Sequence, residues 1–390
     1  MIKNIKAITT SAYLSMFFLG VSASLVGAAA QNIGLSAFQI GLLIAAQNVG
    51  FTVAVLVSGA LADDHEKPKI LFGGSIILGI AYLTFYMSNI FWLNLLIMFF
   101  IGVGIGTYEG VTDAMLLEIH TRRQSLHINV NHFFVTFGSI MIAVYLTFTT
   151  VNWRSSIIQV GVIVLLLALF FALIKLQNHQ QHIEPYLERL KILTKERTVI
   201  VLFLVIMLVV GVEAGSIGIL STFLADMRGF SPYASNIGLI VFLLGIAVGR
   251  LLVGFLSNDK QVGQITLGLL GVSFLVFMAL FLIDFGLLSY GAVFVAGLSM
   301  SALVPLIITM AGLLYPDIAG TVLGAIKVAI PVGGVLTPFL MSVLAQQISL
   351  QVALLLFPFS FLIGFFLLYV GLRRLNATAT SSPARASDLG

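Results

Sequence analysis

The sequence predicts an all-α integral membrane protein of twelve transmembrane helices, arranged as two six-helix bundles in parallel pseudo-twofold repeat. Three observations carry this. The 390-residue chain is 59% hydrophobic and only 9% charged, where a soluble domain carries about 25% charged residues. Its apolar residues fall in runs of about 20, the length a helix needs to cross a bilayer. Its glycines recur at an offset of half the chain. So few polar residues cannot cover a soluble core, which excludes a soluble enzyme, a nucleic-acid reader and a disordered chain. The chain has no Cys, which excludes disulfides, thiol catalysis and Cys-based metal sites.

Twelve apolar runs are read, roughly at 8–30, 37–61, 69–88, 91–117, 125–149, 155–175, 198–223, 233–257, 263–284, 287–314, 319–345 and 350–371. Barrel strands would alternate apolar and polar residues. A run such as Val162 to Ile174 does not alternate, so the spans are helices. The first run ends in Ala28, Ala29 and Ala30, which resemble a signal-peptidase site. It is nevertheless longer than the ~7–15-residue core of a signal peptide, and is expected to be a retained helix. Trp92 and Trp153 fall at the outer ends of spans, where aromatic residues anchor at the interface.

The cations orient the chain. With the N-terminus inside, fifteen Lys and Arg fall on the cytoplasmic side, and only Arg154 and Arg228 fall outside. The remaining two, Arg250 and Lys327, lie within spans. This is a positive-inside pattern, so the net charge of +4 reflects membrane orientation rather than an acidic partner. Both termini are expected in the cytoplasm, with the protein in the plasma (cytoplasmic) membrane.

The halves of the chain match. Fifteen Gly lie in residues 1–195 and 22 beyond, so random placement would align about 1.7 pairs at an offset of 195. Seven align: Gly20/Gly215, Gly34/Gly229, Gly50/Gly245, Gly59/Gly254, Gly73/Gly268, Gly102/Gly297 and Gly138/Gly333. Glycine lets helices approach closely, so matched glycines predict matched packing surfaces. Six spans per half leave both halves in the same orientation, which makes the repeat parallel. The expected organisation is an N-terminal bundle at 1–175, a cytoplasmic linker at 176–197, a C-terminal bundle at 198–375 and a disordered tail at 376–390. Within the linker, Tyr186, Leu187, Leu190, Ile192 and Leu193 predict a short amphipathic helix at the inner surface. His179 and His182 have no third ligand near them in sequence and are read as solvated.

Twelve spans, a six-plus-six repeat and a central linker resemble the major facilitator superfamily. The loop after the second span is similar to that family's signature: Gly59, Asp63, Asp64, His65, Glu66, Lys67, Pro68 and Lys69 keep the Gly, the first acid and the basic end, while Asp64 and Glu66 depart from it. A worn copy follows as Gly254, Asn258, Asp259 and Lys260. The resemblance implies that Gly59, Asp63 and Lys67 gate the inner face, with Arg250 and Asp259 as a second charged pair. The run Gly104-x-Gly106-x-x-Glu109, followed by Asn129, His132, Phe137 and Gly138, resembles the fucose–proton symporter branch, which implies that Glu109 carries a coupled proton. The first span here has no acid, as that branch would have.

A charge at the bilayer centre costs about 2.5–3.5 kcal/mol on insertion scales and marks function by default. Six ionisable side chains lie at such depth: Glu109, Asp113, His132, Glu213, Arg250 and Lys327. A rise of about 1.5 Å per residue puts Glu109, His132 and Lys327 at one level, with Glu213 higher. Lys327 needs a carboxylate; Glu213, Glu109 and an anionic substrate are all candidates. Glu109, Glu213 and Asp113 are expected to couple protons. His132, Lys327, Asn131, Asn129, Gln47 and Asn48 are expected to bind substrate, although membrane-depth amides also serve as helix–helix glue.

The reading is a proton-coupled secondary transporter of a small polar solute, a sugar or polyol by resemblance, working by alternating access as a monomer. No cofactor, metal or nucleic acid is expected; the partners are the solute, protons and the bilayer. Two alternatives stand beside it. One is a proton-driven exporter of amphipathic compounds, for which 31 Phe and 12 Met could line a cavity. The other is an organic-anion transporter built on Lys327.

Overall fold

The computed structural model describes residues 3–148, 153–176 and 185–381. His179 and His182 lie outside them, as does the tail from 382 onward. Every element among the described residues is helical.

The N-terminal helices are α1 (Ile5–Ile33), α2 (Ala37–Asp64), α3 (Lys67–Thr84), α4 (Phe91–Ile119), α5 (Gln124–Phe148) and α6 (Trp153–Leu173). The linker contributes α7 (Tyr186–Leu193), where the amphipathic helix was expected. Then follow α8 (Arg197–Arg228), α9 (Pro232–Leu256), α10 (Val262–Leu282), α11 (Ser289–Met300), α12 (Leu303–Leu314), α13 (Ala319–Lys327), α14 (Ala329–Gln347), α15 (Leu350–Leu354) and α16 (Leu356–Ser381). The last of these continues to Ser381, so residues 376–381, expected to be disordered, are helical.

Among the described residues, ten helices or helix pairs are long and apolar enough to cross a membrane. Neither α3 nor α5 is among them. The first opens on Lys67-Pro68-Lys69, and over its described residues the second carries Gln124, His127, Asn129, Asn131 and His132, all polar and all near its start.

Three spans read as single helices are broken, each for the same reason. Proline has no N–H to donate to the carbonyl four residues back. Pro305 therefore frees the Ser301 carbonyl between α11 and α12, Pro331 frees the Lys327 carbonyl between α13 and α14, and Pro358 frees the Leu354 carbonyl between α15 and α16. The break before Pro331 falls at Val328, while Pro338 sits inside continuous α14.

Two compact units form. Residues 1–190 and 311–328 make the first, so α13 packs with the N-terminal helices; residues 191–310 and 329–390 make the second. In the first unit α2 crosses α4, α1 crosses α5, and α13 lies against α2 and α4. In the second, α9 crosses α11 and α8 crosses α14.

Three of the matched pairs sit at these crossings in both halves, whereas Gly73 and Gly268 both face open space. A Cβ on Gly102 would meet the Gln47 carbonyl at 2.1 Å and one on Gly50 the Phe99 carbonyl at 2.1 Å, joining α2 to α4. Their repeat mates, Gly297 and Gly245, meet the carbonyls of Phe242 and Phe294 at 2.3 Å, joining α9 to α11. Gly138 abuts the Phe17 carbonyl on α1, and Gly333 abuts the Met207 carbonyl on α8. Gly34 and Gly229 are both left-handed, at φ 74° and 70°, and end α1 and α8. Two residues later Ser36 and Ser231 cap the next helices with their side chains. The same turn is thus built twice, with Gly ending one helix and Ser starting the next.

Candidate functional site

The first unit encloses a charged cluster contributed by α4, α5 and α13. Glu109 and Asp113 are four residues apart on α4 and therefore share one face. Opposite them comes Lys327, the last residue of α13, fully buried. Its Nζ lies 2.5 Å from Asp113 Oδ2 and 2.9 Å from Glu109 Oε1, and donates to the Glu109 backbone carbonyl at 2.5 Å. From α5, Asn131 Nδ2 donates to Asp113 Oδ1 at 2.7 Å and His132 Nε2 lies 3.1 Å from Asp113 Oδ2. Asn131 also reaches Thr112 Oγ1 at 3.2 Å.

One acid of this cluster is well satisfied and the other is not. Asp113 faces an ammonium, an amide and an imidazole. Glu109 Oε1 is buried with no hydrogen-bond partner of proper geometry, although the ammonium is close. Oxygens of Glu109 and Asp113 and a ring nitrogen of His132 all come within 4.8 Å of one another. That is the spread of a cation site, and the Lys327 ammonium supplies the cation.

The close crossing of α2 and α13 places the loop acids. A Cβ on Gly59 would lie 2.7 Å from the Gly320 carbonyl oxygen and 2.9 Å from Gly324 Cα, so only glycine permits this approach. One turn further along α2, Asp63 reaches the start of α13. Its Oδ1 accepts from Gly320 N at 2.7 Å, and its Oδ2 accepts from Thr321 N at 2.8 Å and Thr321 Oγ1 at 2.5 Å. These are backbone donors at a helix N-terminus, where a carboxylate is favoured.

Several expected partners are different. Lys67 pairs with Glu118 at the end of α4 rather than with Asp63. Lys327 pairs with Glu109 and Asp113 within the first unit, and Glu213, the other candidate, pairs with Arg250 within the second, at 3.1 Å. Arg250 makes a further contact within the second unit. Its Nε donates at 3.1 Å to the Ser301 carbonyl, the one released by Pro305. Of the candidate partners of Lys327, Glu109 lies against it at 2.9 Å.

Of the amides, only Asn131 joins the cluster. Gln47 Nε2 donates to the Ser22 carbonyl at 3.0 Å and ties α2 to α1. Asn48 and Asn129 donate to carbonyls of their own helices, those of Ile44 and Ser125.

Sequence reasoning missed Arg189, which is 3% exposed on α7 and bridges Asp63 and Asp64. The available signal was the acidic run Asp63-Asp64 in a loop otherwise rich in cations. It also missed the Ser301 carbonyl, whose signal was Pro305 four residues later.

A helical membrane protein that holds ion pairs inside its bundles, at membrane depth, has the build of a membrane transporter. The family model described as Major Facilitator Superfamily matches residues 8–328. The chain belongs to that superfamily, and is a transporter rather than an enzyme. Its fold is similar to the fucose:proton symporter FucP of E. coli, with a TM-score of 0.78 at 17% identity, covering 94% of this chain and 98% of that one. It is similar to the human organic anion transporter MFSD10, with a TM-score of 0.76 at 15% identity over 93% and 99% of the two chains. A third likeness is to the proton:xylose symporter XylE, with a TM-score of 0.69 at 14% identity over 94% and 95%. No curated protein matches by sequence.

Proposed function

We propose that the protein is a proton-coupled secondary transporter of a small polar solute, a sugar or polyol, working by alternating access in the plasma membrane with both termini in the cytoplasm. Residues 1–175 and 198–375 are its two repeat halves, and the working unit is a monomer. The observation that carries the reading is the charge of the α4–α5–α13 cluster. Two carboxylates and one ammonium leave a formal charge of −1 with the imidazole neutral, in a place where unbalanced charge is costly. One proton completes it. Glu109 is where that proton costs least, because Asp113 would lose donors from Lys327, Asn131 and His132. Protonation of Glu109 removes one of the two charges that hold Lys327, and so links proton binding to the seating of α13.

The sugar or polyol reading is supported by likeness to two sugar–proton symporters. The organic-anion reading finds less support at Lys327, whose ammonium is already neutralised by the protein. A specific observation favours amphipathic compounds as the second reading. Tyr13, Phe17, Phe133, Phe134 and Phe137 form one aromatic cluster across α1 and α5, and Phe137 is 37% exposed.

The test is solute uptake into proteoliposomes with and without an imposed pH gradient, over sugars, polyols, organic anions and amphipathic cations. The gradient should drive accumulation of a sugar or polyol. Glu109→Gln should abolish that accumulation and leave counterflow exchange intact. Saturable uptake of an organic anion alone, or gradient-driven accumulation that survives in Glu109→Gln, would overturn the reading.

A further inference from the structure

We propose that Arg189, on the linker helix α7, is the latch of the inner gate: it makes the direct ion pair with Asp63, while the loop cation Lys67 is ion-paired to Glu118, and it holds that carboxylate on the N-terminus of α13. The inference rests on reading Asp63 as a gate.

The charges around the loop require such a group. Asp63 and Asp64 are adjacent acids, and the side chain of Asp63 is only 5% exposed. The cations nearest in sequence are committed elsewhere: Lys67 to Glu118, and Lys69 to Glu66 at 3.1 Å. Arg189 reaches both acids, with Nη1 3.3 Å from Asp63 Oδ2 and Nη2 2.6 Å from Asp64 Oδ2. A planar guanidinium can bridge two carboxylates in this way, whereas an ammonium is a single point of charge.

The geometry of α7 points to a device rather than a by-product of packing. The helix has eight residues, too short to be stable by itself in water. Arg189 and Leu193, one turn apart, are buried, whereas Glu188 and Lys191 are exposed. Its attachment therefore rests on that one face, and the polar half of the attachment is the Asp63–Arg189–Asp64 bridge. The same Asp63 oxygen that takes Arg189 also takes the Thr321 hydroxyl and amide. Losing the guanidinium removes the cation paired directly with Asp63 and turns Asp63 away from α13. Arg189 thus acts through Asp63, as a positioning residue for the opening step.

The chain has no Cys, so a single reporter can be read without background. Ala62→Cys is suitable, because Ala62 is fully buried and its Cβ would lie 3.1 Å from a Cβ on Gly320, at the α2–α13 contact. Its alkylation by a membrane-impermeant maleimide is followed in inside-out vesicles carrying the full chain. Arg189→Gln should raise the rate several-fold, as should Asp63→Asn. Arg189→Lys should fall between, and Lys191→Gln on the exposed face should match the parent. Placing the charge on the loop, as Asp64→Arg with Arg189→Gln, should return the rate towards the parent; a purely structural role for Arg189 would not allow that rescue. If Asp63→Asn raises the rate and Arg189→Gln does not, the latch is wrong and the gate stands. If neither raises it, the gate reading falls and the latch with it. A rise in Arg189→Gln that Asp64→Arg fails to reverse makes the residue structural and also overturns the proposal.

Discussion

Lys327 is the residue on which most of the site turns. Taking an ammonium out of water is repaid only by close, hydrogen-bonded counter-charges, and it has two carboxylates within 3 Å. Lys327→Ala would leave Glu109 and Asp113 facing each other without a cation. Breaking a buried pair on one side costs about 3–5 kcal/mol, so Lys327→Ala should lower the melting temperature of the purified protein sharply. Adding Asp113→Asn should recover part of the loss, whereas adding Glu213→Ala should recover none, because Glu213 belongs to Arg250. Rescue by Glu213→Ala instead would contradict the pairing. The common depth of Glu109 and Lys327 was legible from the helical rise, as was the shared face of Glu109 and Asp113 from their spacing. The partner of Lys327 was not, because two acids on different helices offered the same chemistry and only the lateral distance between helices separates them.

At the scale of elements, glycine and proline decide how helices meet and where they break. Gly102→Ala would drive a methyl group into the Gln47 carbonyl and should separate α2 from α4, lowering the melting temperature. Gly73→Ala is the control. Nothing lies within 4 Å of its Cβ position, and Ala is favoured over Gly in a helix by about 0.5–1 kcal/mol, so that variant should be neutral or slightly more stable. Equal melting temperatures for the two would undo the packing argument.

A second element-scale contact joins the end of α4 to α1. His120 stacks on His127 with centroids 3.5 Å apart, and the two rings meet Thr9 Oγ1 and Tyr13 OH at 2.8 Å each. Burial holds the His120 imidazole below its ordinary value. The folded state then binds fewer protons than the unfolded one between that lowered value and about 6.5. Stability rises with pH across this interval and is lost as pH falls below about 6.5. His120→Asn should therefore shrink the difference in melting temperature between about pH 7.5 and about pH 5.5. An unchanged difference would mean that the imidazole contributes nothing to it.

For the whole molecule, composition and periodicity determined the class: an all-helical membrane protein, its apolar runs, its repeat and the turn that the repeat builds twice. These follow from the bilayer, which demands long apolar helices with satisfied backbones, and from glycine, which lets two helices approach closely whatever the partner. The family signature singled out Gly59 and Asp63, and both lie in the α2–α13 contact. Tertiary structure alone decided which charges meet. Arg250 takes Glu213 together with the Ser301 carbonyl that Pro305 frees, Lys327 takes the two acids of α4 because α13 packs in the first unit, and Arg189 reaches the loop from a linker that looked merely amphipathic. A charge in a sequence states only that a counter-charge is required. Which of several equivalent partners supplies it depends on distances of a few ångströms between helices, and those are set by packing.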